Sequence, residues 1–275
     1  MSIITLLTDF GADDEYVGLM KGVVLTINPD ATIIDITHHI GPQDIVQAAY
    51  TINSTYPYFP AGTIHLIVVD PGVGTERAIL AVKANHQIFL APDNGVLTLL
   101  LNEDNGASII RVTNSNYFLN SVSHTFHGRD IFSPVGAHIS RGVNLKALGT
   151  ETDLSHVVRL KDLHAQIDQN GALIGRVVSI DNFGNLITNI DAGMLAHSHK
   201  TSSAAITRVS IGGHVVNGLS TTYGNVDSNT PAALIGSRGY LEIAVNGGSA
   251  AQYFNISKGD VVQVKVKSGY KGRPE

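Results

Sequence analysis

Cysteine is absent from this 275-residue chain. Its absence excludes disulfides, thiolate metal sites and a cysteine nucleophile together. Charge is scarce as well: Asp, Glu, Lys and Arg make up 15% of the residues, which is low for a soluble monomer and favours an oligomer that hides part of its surface. The net charge of -5 is not accompanied by any Lys/Arg run, so there is no electrostatic footprint for nucleic acid. No apolar run reaches the length of a membrane span, and no membrane partner is expected. Met1 to Asp9 lacks the basic region and cleavage site of a signal peptide. It reads as a first strand, and the expected location is the cytoplasm. Apolar side chains, by contrast, are plentiful: hydrophobic residues make up 43% of the chain, enough for a well-filled core in one large domain or two unequal ones.

The pattern of elements changes part-way along. Ile3–Leu7, Thr32–Ile36, Thr63–Val69 and Ile109–Val112 read as strands, and Ile79–Val82 with Gln87–Ala91 as a hairpin. Tyr16–Ile27, Asp44–Tyr56, Gly95–Leu101 and Ile131–Arg141 have helical spacing. Strands alternating with helices predict a three-layer α/β/α domain with a mainly parallel sheet over residues 1–150. Residues 151–168 read as a polar linker. Over 169–275 helical spacing is scarce and Gly-rich turns separate short strands, which predicts a smaller all-β, barrel-like domain.

The residues that carry chemistry sit at the ends of apolar runs. Thr8-Asp9-Phe10-Gly11 closes the first strand, and Asp9 either accepts hydrogen bonds from a ribose diol or caps the next helix. Asp70-Pro71-Gly72-Val73-Gly74-Thr75-Glu76-Arg77 follows Ile64–Val69. An acid and an arginine on a Gly-rich loop at a strand's carboxyl end stand where open α/β sheets bind ligands. The bland alternatives are a turn acid and a solvated guanidinium. No Gly-Lys-Ser/Thr follows, so the loop is not a P-loop. His127 is one of 12 histidines. It gains interest from its neighbours Gly128, Arg129 and Asp130 at a helix entry. His38 and His39 resemble metal ligands only superficially and read as turn or packing residues, since no HExxH pattern or acidic ligand set accompanies them. In the second half, Asp181-Asn182-Phe183-Gly184-Asn185 offers an acid, two amides and an aromatic ring, suited to an ammonium group and a purine. Ser237-Arg238-Gly239-Tyr240 and Asn246-Gly247-Gly248-Ser249-Ala250 are turn-like and offer backbone N–H groups.

Taken in order, these segments, with Asp35-Ile36-Thr37-His38, Pro92-Asp93-Asn94-Gly95 and Phe126-His127-Gly128-Arg129-Asp130, resemble the S-adenosyl-L-methionine (SAM) hydroxide adenosyltransferase family. These are adenosine-forming SAM hydrolases, related to the SAM-dependent fluorinase and chlorinase. The resemblance covers nearly the whole chain. It implies a water-handling set at Asp70, Arg77 and His127, and a ribose-binding acid at Asp9. It implies methionine and adenine contacts from Asp181, Phe183, Asn185, Ser237, Arg238, Asn246 and Ala250. It further implies SAM as substrate with no cofactor or metal, and a homotrimer with each site at a subunit interface. The short stretch from Asp93 to Asn105, and Gly128 after His127, resemble the hydrolases more than the halogenases. A halogenase forming 5′-halo-5′-deoxyadenosine, a non-catalytic SAM or adenosine binder, and a metal hydrolase built on His38 and His39 are the alternatives.

Overall fold

The structure is a computed structural model that describes residues 2–103, 106–200 and 205–268. The chain divides into two compact units, Met1–Lys161 and Asp162–Glu275.

The first unit runs β1 (Ile3–Thr8), α1 (Tyr16–Ile27), β2 (Thr32–Thr37), α2 (Ile45–Thr55), β3 (Ile64–Val68), β4 (Ile79–Ala84), β5 (Gln87–Pro92), α3 (Thr98–Glu103), β6 (Ser108–Val112), α4 (Ser133–Ser140) and β7 (Gly149–Glu151). Local chemistry sets the boundaries. Asp44 caps α2 by accepting the Gln47 N–H at 2.9 Å, and Pro29 and Pro57 follow the ends of α1 and α2 closely. The strands lie in the order β2-β1-β3-β5-β4-β6-β7. Pairs among β2, β1, β3 and β5 are parallel, whereas β5/β4, β4/β6 and β6/β7 are antiparallel. The sheet is therefore mixed, not mainly parallel as the sequence led us to expect. The β4–β5 hairpin is the cause. Asn85 and His86 both sit at positive φ, and a two-residue turn of that kind can only join antiparallel neighbours. Everything beyond β4 then pairs outward from a reversed strand. Gly149–Glu151, where the sequence turns polar, supplies the edge strand β7.

Side chains alternate across this sheet. Ile4, Leu6, Leu66, Val68 and Leu90 pack with Met20 and Val24 of α1 and Val135 of α4. Leu7, Ile67, Val69, Phe89 and Ala91 pack with Ala48 and Ile52 of α2 and with Leu100 and Leu101 of α3. One buried polar row crosses the sheet. His65 is fully buried, with Nδ1 2.7 Å from Thr5 Oγ1 and Nε2 2.6 Å from Gln87 Oε1. Gln87 Nε2 donates to the carbonyls of Tyr56 and Phe59, so its Oε1 must accept from His65 Nε2–H. The neutral ring is thereby fully satisfied and stacked on Phe89.

The second unit runs β8 (Gln166–Ile167), β9 (Leu173–Ile180), β10 (Leu186–Asp191), α5 (Ala192–Lys200), β11 (Ala205–Ile211), β12 (His214–Asn217), β13 (Pro231–Ile235), β14 (Tyr240–Val245), α6 (Ala250–Phe254) and β15 (Val261–Ser268). The path β12-β11-β15-β9-β10-β14-β13 is antiparallel throughout, and β8 pairs with β9. Its two ends, β12 and β13, lie beside each other, which makes a nearly closed, barrel-like sheet. Leu173, Val177, Leu186, Ile190, Leu241, Ile243 and Val262 form its core. Two short helices interrupt the all-β pattern. Of these, α6 is capped by Ser249, whose Oγ accepts the Gln252 N–H.

Burial pushes the His65 pKa down to about 4, against the hydrogen bond to Gln87. The unfolded chain therefore binds this proton near pH 6.5 and the native chain only near 4. Unfolding free energy measured in urea should be unaffected by this group above pH 6.5. It should decline by about 3 kcal/mol in total as pH falls toward 4, and His65→Gln should flatten that decline.

Candidate active site

The parallel neighbours β1 and β3 end level with each other, Thr8 opposite Val68. Asp9 and Asp70 thus emerge from the same edge of the sheet, at its carboxyl-terminal end. The loop after Asp70 is tightly wound. Val73 N–H donates to the Asp70 carbonyl, and Thr75 Oγ1 donates to the Gly72 carbonyl. Gly74 is required there: its φ is +78°, and a Cβ would stand 2.3 Å from the His124 carbonyl oxygen. Close approach at this point brings the loop bearing Arg77 against the segment that ends at His127.

Arg77 lies between the other two members of the cluster. Its Nε donates to Asp70 Oδ1 and Oδ2 at 3.0 and 2.9 Å, and its Nη2 donates to Oδ2. The same Nη2 lies 2.7 Å from His127 Nδ1. A guanidinium can only donate, so Nδ1 accepts and the ring proton sits on Nε2. Burial and then the Arg77 charge hold the His127 pKa below its ordinary value. Both side chains of the Asp70–Arg77 ion pair are nearly enclosed, where charge pairing is screened less than at an exposed surface.

A second ion pair supports His127 from behind. Asp130 is fully buried and accepts from Arg129 Nε at 2.6 Å and from Ser123 N–H and Oγ at 2.8 and 2.7 Å. Burial alone would raise its carboxyl pKa; the Arg129 and Ser123 bonds outweigh that and lower it. Residues Gly128–Phe132 form a π-turn before α4, a distortion frequent at functional sites.

A cavity of about 300 Å³ opens here, lined by Asp9, Phe10, Gln43, Asp70, Phe126 and His127 among others. Arg77 is not among its lining residues and stands behind Asp70 and His127. Asp9 does not cap α1: its Oδ2 accepts the Gln43 N–H at 2.7 Å, and among the described residues Oδ1 takes no bond. Phe10, Tyr16 and Phe126 form an aromatic cluster with ring centroids 5.1–5.7 Å apart. Asp93 and Asn94 are occupied structurally. Asp93 Oδ1 accepts the Val158 N–H and Asn94 Nδ2 donates to the Val69 carbonyl, each at 2.9 Å. His38 bonds Thr8 Oγ1 at 2.9 Å through Nδ1, and its Nε2 faces Asp35 Oδ1 at 3.1 Å, off the ring's hydrogen-bonding direction. Its carbonyl accepts Gly11 N–H, so His38 braces the Asp9 turn.

The second unit has its own cavity of about 640 Å³, lined by Asp181, Phe183, Asn185, Ser237, Arg238 and Asn246. Tyr223 and Glu242, neither singled out from the sequence, also line it. Phe183 is 76% exposed, an aromatic face open to a ligand. Ala250 does not line the cavity; it is fully buried at the start of α6.

Residues 4–149 match the sequence model of the SAM hydroxide adenosyltransferase N-terminal domain, and residues 175–263 match that of its C-terminal domain. The chain belongs to the SAM hydroxide adenosyltransferase family. An (R)-S-adenosyl-L-methionine hydrolase of Thermus thermophilus is 33% identical over 276 residues, covering 96% of this chain and 100% of the relative. A fluorinase of Nocardia brasiliensis is 29% identical, with 96% and 97% covered. Among solved structures, an uncharacterised conserved protein of Thermotoga maritima superposes with a TM-score of 0.87 at 37% identity, covering 95% of this chain and 99% of the other.

Within this family member, the His127 titration reports the cluster directly. An NMR pH titration of the His127 ring, assigned with His127→Asn, should give a midpoint below 6.5 with the Nε2–H tautomer dominant at neutral pH. Arg77→Met removes a depressing charge and leaves Asp70 beside the ring, so the midpoint should rise.

Proposed function

We propose that this enzyme hydrolyses SAM to adenosine and L-methionine by in-line attack of water on C5′. The observation that carries the reading is the Asp70–Arg77–His127 array at the edge of a cavity at the strands' carboxyl end. Thioether departure needs no acid, because the C5′–S electron pair neutralises the sulfonium. The difficulty lies with water, a weak nucleophile. In our reading His127 Nε2–H and the Asp70 carboxylate hold the water. Arg77 acts from behind, neutralising Asp70 and fixing the His127 tautomer, so that hydroxide character can develop beside a carboxylate without net repulsion. The water oxygen forms the new C5′–O bond, and its released proton passes by way of Asp70 to solvent. Held in line, the reactants gain up to roughly 7–11 kcal/mol over a bimolecular encounter.

Asp9, with Oδ1 unbonded, suits the ribose diol. Phe183, Asn185 and Asn246 suit adenine, and Ser237 and Arg238 suit the methionine carboxylate. Ala250, being buried, can contribute only through its backbone. No metal or cofactor enters the scheme, and turnover after chelation should equal turnover before it. The hydrolase reading is favoured over a halogenase by Gly128: any side chain there meets Phe126 and Met20 at 3.1 and 3.2 Å. The two apolar clusters that share out alternate strand residues support the three-layer reading of the first unit. Cytoplasmic location is part of the same proposal; among the described residues no helix is long and apolar enough to cross a membrane.

Two experiments test this. Incubated with a mixture of sulfonium epimers, the protein should release adenosine and methionine in equal amounts from the R fraction, following the name its relatives carry, and yield no halonucleoside in chloride or fluoride. Arg77→Lys and His127→Asn should each lower kcat on the order of 100-fold with folding verified by circular dichroism. Tight SAM binding without products would mark a binder instead. We further propose a homotrimer whose sites are completed by a second copy of the chain. Its support is the α1 surface, where Leu19 and Leu25 are exposed and Gly18 and Gly22 leave open space. Light scattering should return three times the 29.2 kDa chain mass, and Leu19→Asp should lower it.

A further inference from the structure

The cavity of the second unit holds two carboxylates, Asp181 and Glu242, and one guanidinium, Arg238. The two acids are not equivalent. Asp181 Oδ1 accepts the N–H groups of Phe183 and Asn185, and Oδ2 accepts Asn185 Nδ2, all at 2.9 Å. Its lone pairs are committed to closing its own turn. Glu242 lies on β14 within Leu241–Val245, 7% exposed. Its Oε1 accepts the Tyr223 hydroxyl at 2.5 Å. Its Oε2 takes no hydrogen bond among the described residues, and no described Lys, Arg or His stands within ion-pair distance. The carboxylate is packed against Gly236, where a Cβ would come within 2.2 Å of Oε2. Hydrogen bonding to Glu242, with burial, pushes the Tyr223 phenol up to about 12, so Tyr223 remains a donor that anchors the acid.

A buried carboxylate is costly unless a cation meets it. Here the cation has to come from the ligand. SAM brings an α-ammonium, a carboxylate and a sulfonium, a net charge of +1 against the cavity's net charge of -1. Arg238 suits the ligand carboxylate, which leaves the ammonium for an acid with a lone pair to spare.

We propose that Glu242 Oε2, held in place by Tyr223, receives the α-ammonium of the methionine half of SAM and selects amino acid over hydroxy acid ligands. Asp181 shapes the loop that carries Phe183 and Asn185. The inference rests on the reading of the chain as a SAM hydrolase, and direct binding separates the two.

Glu242→Gln keeps the side-chain volume and an acceptor for Tyr223 while removing the charge. Its KM for SAM should rise about 10- to 100-fold, with the loss falling more on KM than on kcat. For the analogue whose α-amino group is replaced by hydroxyl, wild type and variant should have similar KM. Tyr223→Phe, which retains the charge, should have a smaller effect on SAM. Equal KM for SAM in wild type and Glu242→Gln, or an equal rise for both substrates, overturns the proposal. If the wild type forms no adenosine, the hydrolase reading fails, and calorimetry with L-methionine still decides on Glu242. Methionine binding weakened 10-fold or more in Glu242→Gln supports the role. Equal binding, or no binding to the wild type, removes it.

Discussion

The site in the first unit depends on one guanidinium. Arg77 makes the burial of Asp70 tolerable and fixes the proton of His127, and neither effect survives without the other. An enclosed carboxylate would otherwise take up a proton or pull in water. An imidazole without the Arg77 contact would be free to place its proton on either nitrogen. Because Arg77 reaches both partners from one planar group, the spacing between Asp70 and His127 is set by its width. The wound Asp70 loop, the glycine at 74 and the Asp130–Arg129 brace all hold the two loops at that spacing.

The braces differ in kind. Gly74 acts by absence, since any side chain collides with the His124 carbonyl. Asp130 acts by attraction, collecting Ser123 and Arg129 around a buried charge. His38 holds the turn with Asp9 through Thr8 and Gly11. In each case backbone outside the cavity fixes a side chain within it, an arrangement that tolerates little motion where a nucleophile must be aligned.

Much of this could be read from the sequence. Strand and helix positions in the first unit followed from apolar spacing, and α1 begins and ends at the expected residues. The association of Asp70, Arg77 and His127 rested on strand-end placement and on family resemblance. Spacing could not show that Arg77 stands behind its partners, because that depends on how two loops pack. The mixed sheet was missed although its hairpin was recognised, since the consequence of a reversed strand for later pairings is a tertiary matter. β12 and β13 are short and polar in part, and escaped notice. Glu242 left one signal: a single carboxylate inside the apolar run Leu241–Val245. Such a residue is either on a solvent face or buried for a reason, and only the burial of β14 distinguishes the two.

The π-turn at Gly128–Phe132 carries an evolutionary consequence. It holds one residue more than a regular helical turn would. Deleting any one of those residues would restore ordinary winding, and the local backbone geometry would gain. Yet each residue of an α-helix rotates its neighbours by about 100°, so the same deletion would swing the imidazole away from the guanidinium. Lineages that retain this chemistry should preserve segment length here even where residue identity drifts, and a chain shortened by one at this point should have lost it.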